Sequence, residues 1–343
     1  MIFVFNYAIM RQFYGIIGHQ KELKSLQLLN GEKNIPHSIL FTGQRGIGKR
    51  LIAERFLSAF ICKDDTPPCG TCSLCKQIAA GVFPDFIVLE RNDKGRIPVG
   101  AKDKLMPGTV RWLIEKLSLA PATDGYSVII DGVDTISEAG QNALLKTIEE
   151  PYSKTNFILI SDNRNGILPT IISRCIEIPF QPLKDDDILS ILKIRESITD
   201  RSEFLVSISG GSAEIAVKLH DDNIFNEISN LCASLSKFVK GDSGDTLKYP
   251  DMEHISDNEF LLIVLINIYS LMVREDIKKD IRTIPEEIRL NSEDALKTLR
   301  ILLAIKMGLK NNLNVKNILK GFMYSFKRVD SHGFVEPDFS WID

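Results

Sequence analysis

No stretch of roughly 18 uncharged apolar residues occurs in this chain, so nothing in it reads as a membrane-spanning helix. It also lacks an excess of positive charge: 42 Lys and Arg stand against 45 Asp and Glu, a formal net charge of -3. Any contact with nucleic acid must then come from a local patch or through an assembly. Internal repeats and low-complexity tracts are missing, which argues against a solenoid or a disordered chain. The apolar opening, Met1 to Met10, has no basic segment and no small-residue cleavage site, which argues against a signal peptide and leads us to expect a cytoplasmic protein. Met10 is itself a possible natural start, which would make residues 1–9 an extension. What is present is globular: 44% hydrophobic and 25% charged residues over 343 positions, too long for one core and suggestive of two or three domains.

Gly43-Gln44-Arg45-Gly46-Ile47-Gly48-Lys49-Arg50 has the glycines and lysine of a phosphate-binding loop. The backbone N–H groups of such a loop cradle phosphates, the lysine neutralises the terminal ones, and a following Ser or Thr ligates Mg²⁺. Arg50 has no hydroxyl for that task. The acidic strand expected to complete the site, Val128-Ile129-Ile130-Asp131-Gly132-Val133-Asp134, is altered as well. A site built this way should bind nucleotide better than it cleaves it. Two readings of Lys49 stay open: it still holds phosphate, or it is a relic in a loop packed shut with Arg50 in the metal's place. Asp131 likewise reads either as a metal-type carboxylate or as an ion-pair partner of Arg50.

Cysteine is scarce, yet four of the six, Cys62, Cys69, Cys72 and Cys75, fall in a C-x6-C-x2-C-x2-C pattern. Four thiolates so close can wrap one tetrahedral zinc, and with no open coordination position the ion would be structural. Chance spacing of reduced thiols, or disulfides, is the alternative. Cys175 and Cys232 read as ordinary buried thiols.

Short apolar runs at 38–42, 86–89, 127–131, 156–161 and 175–179 alternate with helical patterns at 49–61, 109–119, 138–149 and 168–173. That alternation predicts an α/β fold with a parallel sheet, and it sets the loop glycines between the first strand and its helix. Beyond Pro179 and Pro182 the pattern is helical throughout: 185–194, 201–209, 213–219, 224–239, 260–272, 285–290, 292–310 and 315–326. A polar stretch at 240–257 reads as an exposed loop, and 331–343 as a tail.

His37-Ser38-Ile39-Leu40-Phe41-Thr42-Gly43, the cysteine loop, Asn142-Ala143-Leu144-Leu145-Lys146-Thr147-Ile148-Glu149-Glu150-Pro151 and Ile172-Ser173-Arg174-Cys175 agree in order and spacing with one family. Over about residues 11 to 220 the chain resembles the AAA+ subunits of the bacterial DNA polymerase III clamp loader. The resemblance implies a RecA-like AAA+ domain at 11–181 with a zinc module at 62–75, following an extension at 1–10. It further implies a small helical lid at 182–221 and an all-α collar at 222–343 that joins five subunits.

Motor subunits of that family, gamma and tau, carry Gly-Lys-Thr, Asp-Glu-x-His and Gly-Ser-x-Arg. Here the matching positions read Gly48-Lys49-Arg50, Asp131-Gly132-Val133-Asp134 and Gly211-Ser212-Ala213-Glu214. A carboxylate at Glu214 repels phosphate where an arginine would stabilise it. Three departures in one site make the chain similar to the family's stator class, delta-prime. The resemblance then implies partnership with gamma/tau and delta subunits in a hetero-oligomer, with the sliding clamp and primed DNA met through the assembly. It also makes Arg174 an arginine finger acting in trans on a neighbour's ATP, although a surface ion pair is the plain alternative. An autonomous gamma-like ATPase, or a scaffold outside replication, are the competing functions. Lys94, Arg96, Lys102 and Lys104 form a basic loop that reads as solvated rather than as a DNA track, and Trp112, Leu144, Leu145 and Ile148 read as core.

Overall fold

The structure is a computed structural model, and it describes residues 13, 15–31, 36–101, 105–195, 201–239, 250, 252–278, 288–308 and 315–325. The chain divides into two compact units, Met1–Lys184 and Asp185–Asp343.

In the first unit the apolar runs become β1 (Ser38–Thr42), β2 (Phe86–Glu90), β3 (Tyr126–Asp131), β4 (Thr155–Ser161) and β5 (Ile176–Pro179). Between them run α1 (Gln20–Gly31), α2 (Lys49–Ile61), α3 (Ser73–Ala79), α4 (Val110–Ser118), α5 (Glu138–Glu149) and the short α6 (Pro169–Ile172). The strands pair parallel in the order β2-β3-β4-β1-β5. Alternation along each strand feeds two cores, one on each face of the sheet. Leu40, Val128, Ile130, Phe157 and Leu159 pack with Val110 and Leu113 of α4 and Leu144 and Ile148 of α5. Ile39, Phe41, Ile129, Ile158 and Ile160 face Leu23 and Leu26 of α1 and Ile52 and Phe56 of α2. Burial on both faces explains why these strands read as continuous apolar runs.

The parallel α/β expectation holds, with strand ends shifted by a residue at most. Two helices go unread in the sequence. α1 is weakly amphipathic, and α3 is a single short helix whose start is fixed by the Cys72 side chain accepting from the Cys75 amide. Trp112 and Leu145 are partly buried against the first core.

The second unit holds α7 (Asp185–Arg195), α8 (Ser202–Ser209), α9 (Ala213–Lys218), α10 (Asp222–Val239), α11 (Asn258–Lys278), α12 (Ser292–Gly308) and α13 (Val315–Ser325). One apolar cluster runs through it from Phe204 and Leu205 to Ile318 and Leu319. Two expectations need correction. The predicted helix at 285–290 does not run to its expected end: Ile288 is a 3-10 residue, Arg289 and Leu290 are irregular, and residues 285–287 lie outside the described ones. The 240–257 stretch is not wholly exposed, because Met252 and Ile255 are buried in the helical core, which is what apolar side chains in a polar stretch do when a neighbouring core is open to them. Residues 240–249, 251 and the tail lie outside the described residues. No described helix is long and apolar enough to cross a membrane.

Candidate functional site

Open parallel sheets place ligands beyond the carboxyl ends of their strands, and the Gly43–Arg50 loop leaves β1 at that end. Its glycines are set by geometry: a Cβ at Gly43 would stand 2.4 Å from the Phe180 carbonyl oxygen, and Gly48 turns into α2 at φ +98°. Lys49 opens the helix but does not face outward. Its side chain is 4% exposed, and Nζ donates to the carbonyls of Gly43 and Gln44, each at 2.6 Å, and to Asp162 Oδ1 at 2.9 Å. An ammonium has three N–H donors, so the protein itself uses all of them.

Arg50 takes the position of the missing hydroxyl. Its Nε donates to Glu54 at 3.0 Å, and Nη1 pairs with Glu90 while lying 3.6 Å from Asp131. The expected Arg50–Asp131 pair is thus the longest of three. Arg91, directly after β2, extends Nη2 to within 2.6 Å of Asp162 and 3.7 Å of Asp134. At Gly132 the backbone has φ +110°, and an added Cβ would stand 2.4 Å from Arg91 Nε. The arginine stem fills the space that a larger side chain at this position would enter.

Lys49, Arg50 and Arg91 therefore meet five carboxylates in two neighbouring sets of ion pairs, Lys49 and Arg91 joined through Asp162 with Asp134 beside them, and Arg50 with Glu54, Glu90 and Asp131; Asp131 feels the charge of all three cations. Burial raises the pKa of Asp131 and of Asp134, outweighing the cations around them. Burial also opposes ionisation of Asp162, but Lys49 and Arg91 more than offset it and hold that carboxyl below its ordinary value. A polyphosphate entering here would have to displace carboxylates from every cation it needs.

Arg174 lies at the opposite end of the sheet. It follows α6 and precedes β5, whose Ile176 is level with Ile39 and whose Pro179 is level with Thr42. At about 3.3 Å per residue, Arg174 and the start of the phosphate loop are separated along the strands by on the order of 15 Å, so it cannot serve the loop of its own chain. Its Nε donates to Glu149 Oε2 at 2.9 Å, Nη2 lies 2.9 Å from the same oxygen, and Nη1 donates to the Thr170 carbonyl at 2.9 Å. The side chain is 33% exposed.

The four clustered cysteines come together as the spacing predicts, with all four Sγ atoms within 4.8 Å of one another. Amides of Cys69, Cys72 and Cys75 point at the sulfurs of Cys62, Cys69 and Cys72 at 3.3–3.4 Å. Such N–H···S bonds favour thiolate. The Thr71 hydroxyl, followed by the Cys72 amide, lowers Cys69 to about 6, whereas burial pushes Cys75 up to about 12. All six cysteines are free thiols, so disulfides are not formed. The set fits a tetrahedral thiolate-bound ion. Cys232 is buried as expected; Cys175 is only partly so.

Sequence reasoning does not reach Arg91, Asp162 or Glu149. Arg91 and Asp162 did leave a signal: each immediately follows the last residue of a strand, β2 and β4, at the carboxyl end of the sheet where the loop lies. Glu214 pairs with Lys218 one turn along its own helix, at 2.7 Å. Lys94 and Arg96 lie in an exposed turn, and Lys102 and Lys104 fall outside the described residues.

The family model described as "DNA polymerase III, delta subunit" matches residues 18–184. The chain is 31% identical over 244 residues to DNA polymerase III subunit tau of Bacillus subtilis, covering 70% of this chain and 40% of that protein. It is 30% identical over 219 residues to DNA polymerase III subunit delta' of Pseudomonas aeruginosa, covering 62% and 64%. To delta' of Bacillus subtilis it is 27% identical over 303 residues, covering 83% and 89%. The first two of these are spanned only in part, over 40% and 64% of their lengths. Together these matches place the chain in the bacterial DNA polymerase III clamp-loader AAA+ family, among the gamma, tau and delta-prime relatives.

Proposed function

We propose that this chain is the delta-prime-type stator of a clamp loader: it does not hydrolyse ATP, and it supplies Arg174 in trans to the ATP of a neighbouring gamma/tau motor subunit. In this reading it works with those subunits and a delta subunit while the sliding clamp is loaded onto primed DNA, with residues 182–221 as a lid and 222–343 as the collar that joins its neighbours. The observation that carries the reading is the filled loop, in which all three donors of Lys49 are taken by Gly43, Gln44 and Asp162. Arg50 stands where a Mg²⁺-ligating hydroxyl would be needed, and Arg91 stands over Gly132 where a water-activating carboxylate would be needed. The isolated chain is expected to show no Mg²⁺-dependent ATP hydrolysis. In an assembly reconstituted with the motor and delta subunits, Arg174→Ala should lower clamp- and DNA-stimulated turnover by on the order of 10³-fold. Unchanged turnover in that assembly would sink the finger assignment, and hydrolysis by the isolated chain that is lost on Lys49→Ala would make it a motor.

Cys62, Cys69, Cys72 and Cys75 would hold a structural zinc, tying the end of α2 to the start of α3. Metal analysis of the purified chain should give about one zinc per chain, and Cys72→Ser should lower thermal stability. A folded, metal-free protein of unchanged stability would refute this.

A further inference from the structure

We infer that Glu149 is the positioning residue for Arg174, holding its guanidinium with the phosphate-facing donors left open. The inference rests on the trans-acting role proposed for Arg174. Glu149 is the last residue of α5, where the partial negative charge of a helix C-terminus disfavours a carboxylate. A carboxylate at that end therefore needs a cation, and Arg174 provides it through Nε and Nη2 on one oxygen, Oε2. Thr170 fixes the third nitrogen through its carbonyl.

The backbone under the side chain is held as well. The Arg174 amide donates to the Ile171 carbonyl at 3.0 Å, and Ser38 Oγ reaches the Arg174 carbonyl at 3.4 Å. The loop leading to α6 is clamped by the buried Gln141, whose amide donates to Ile136 and Gly166 and accepts from Leu168 N. A guanidinium has five N–H donors in a rigid fork. With Nε and one donor of Nη2 given to Glu149 and one donor of Nη1 to Thr170, the two terminal nitrogens each keep one N–H for an incoming phosphate oxygen. A long side chain fixed beforehand loses less freedom when that oxygen arrives. Because both partners are substantially exposed, the pair itself contributes little to folding, so its loss is readable as a kinetic effect.

The test is the reconstituted assembly carrying Glu149→Ala, Glu149→Gln, Arg174→Ala and the double variant Arg174→Ala with Glu149→Ala. Glu149→Ala is expected to lower the maximal clamp- and DNA-stimulated ATP turnover about tenfold, as misplacement of a catalytic group does, with KM for ATP unchanged. Glu149→Gln, which keeps an acceptor oxygen, should recover most of the rate. In the Arg174→Ala background Glu149→Ala should change nothing further. Wild-type turnover or faster turnover in Glu149→Ala, with Arg174→Ala slow, overturns the positioning role while leaving the finger intact. An equal loss from Glu149→Ala in both backgrounds also overturns it. If Arg174→Ala alone leaves turnover unchanged, it is the finger reading that fails.

Discussion

The two ends of the sheet carry cations in opposite states. At the carboxyl end, Lys49, Arg50 and Arg91 are consumed by five carboxylates and two loop carbonyls. At the amino end, Arg174 gives three of its five N–H donors to one carboxylate and one carbonyl and keeps two that no described residue takes. Counting positive residues would rank the loop as the better phosphate site. What separates the two ends is the number of donors left uncommitted, since a phosphate gains little from a cation whose hydrogen bonds it must first break.

The sharpest way to break this contrast is to release the cations at the loop. Asp162 binds Lys49 at 2.9 Å and Arg91 at 2.6 Å and is the link between them. Removing one partner of a buried pair leaves the other charge uncompensated, so Asp162→Asn should cost about 3 kcal/mol, measured by denaturant unfolding at pH 7. The linkage has a definite sign. A carboxyl held below its ordinary value of 3.8 stabilises the fold above that pH, and the contribution fades as pH falls through the lower folded value. The deficit of the variant should therefore be full at neutral pH and shrink below about pH 4. A deficit that stays constant into acid would show that Asp162 acts by packing. Nucleotide binding gained by the variant would show that Lys49 was withheld from phosphate by this one carboxylate.

Much of this arrangement is legible in the sequence, and the part that is not has a common physical cause. Parallel strands buried on both faces announce themselves as apolar runs, and the cysteine spacing reports a thiol cluster because all four ligands lie within 14 residues, 62 to 75. The glycine loop and the missing hydroxyl at Arg50 are local as well. Arg91, Asp162 and Glu149 are not: Arg91 and Asp162 meet through strand order, which sets β3 between β2 and β4 and brings the ends of distant strands together at the carboxyl end, and Glu149 meets Arg174, 25 residues on, at the amino end. The additional partner of Arg50 has the same origin, because Glu90 reaches it only through the pairing of β2 with β3. Local pattern specifies each element here, whereas register specifies which charges meet.

A smaller perturbation sharpens the comparison from the other direction, by adding atoms instead of removing charge. Gly132 sits at φ +110°, a conformation that a side chain rarely adopts. In Gly132→Ala the new methyl would approach Arg91 Nε at 2.4 Å and Cγ at 2.9 Å. The far end of Arg91 is pinned by Asp162 and Asp134, so the stem has little room to swing away. Backbone strain together with this crowding should lower stability by about 2 kcal/mol, less than Asp162→Asn because every charge keeps its partner. Denaturant unfolding of Gly132→Ala in the wild-type and Arg91→Ala backgrounds separates the two causes. If Arg91 is the obstacle, removing it relieves part of the loss; an equal loss in both backgrounds would assign the whole effect to backbone strain and leave Gly132 without a role in closing the loop.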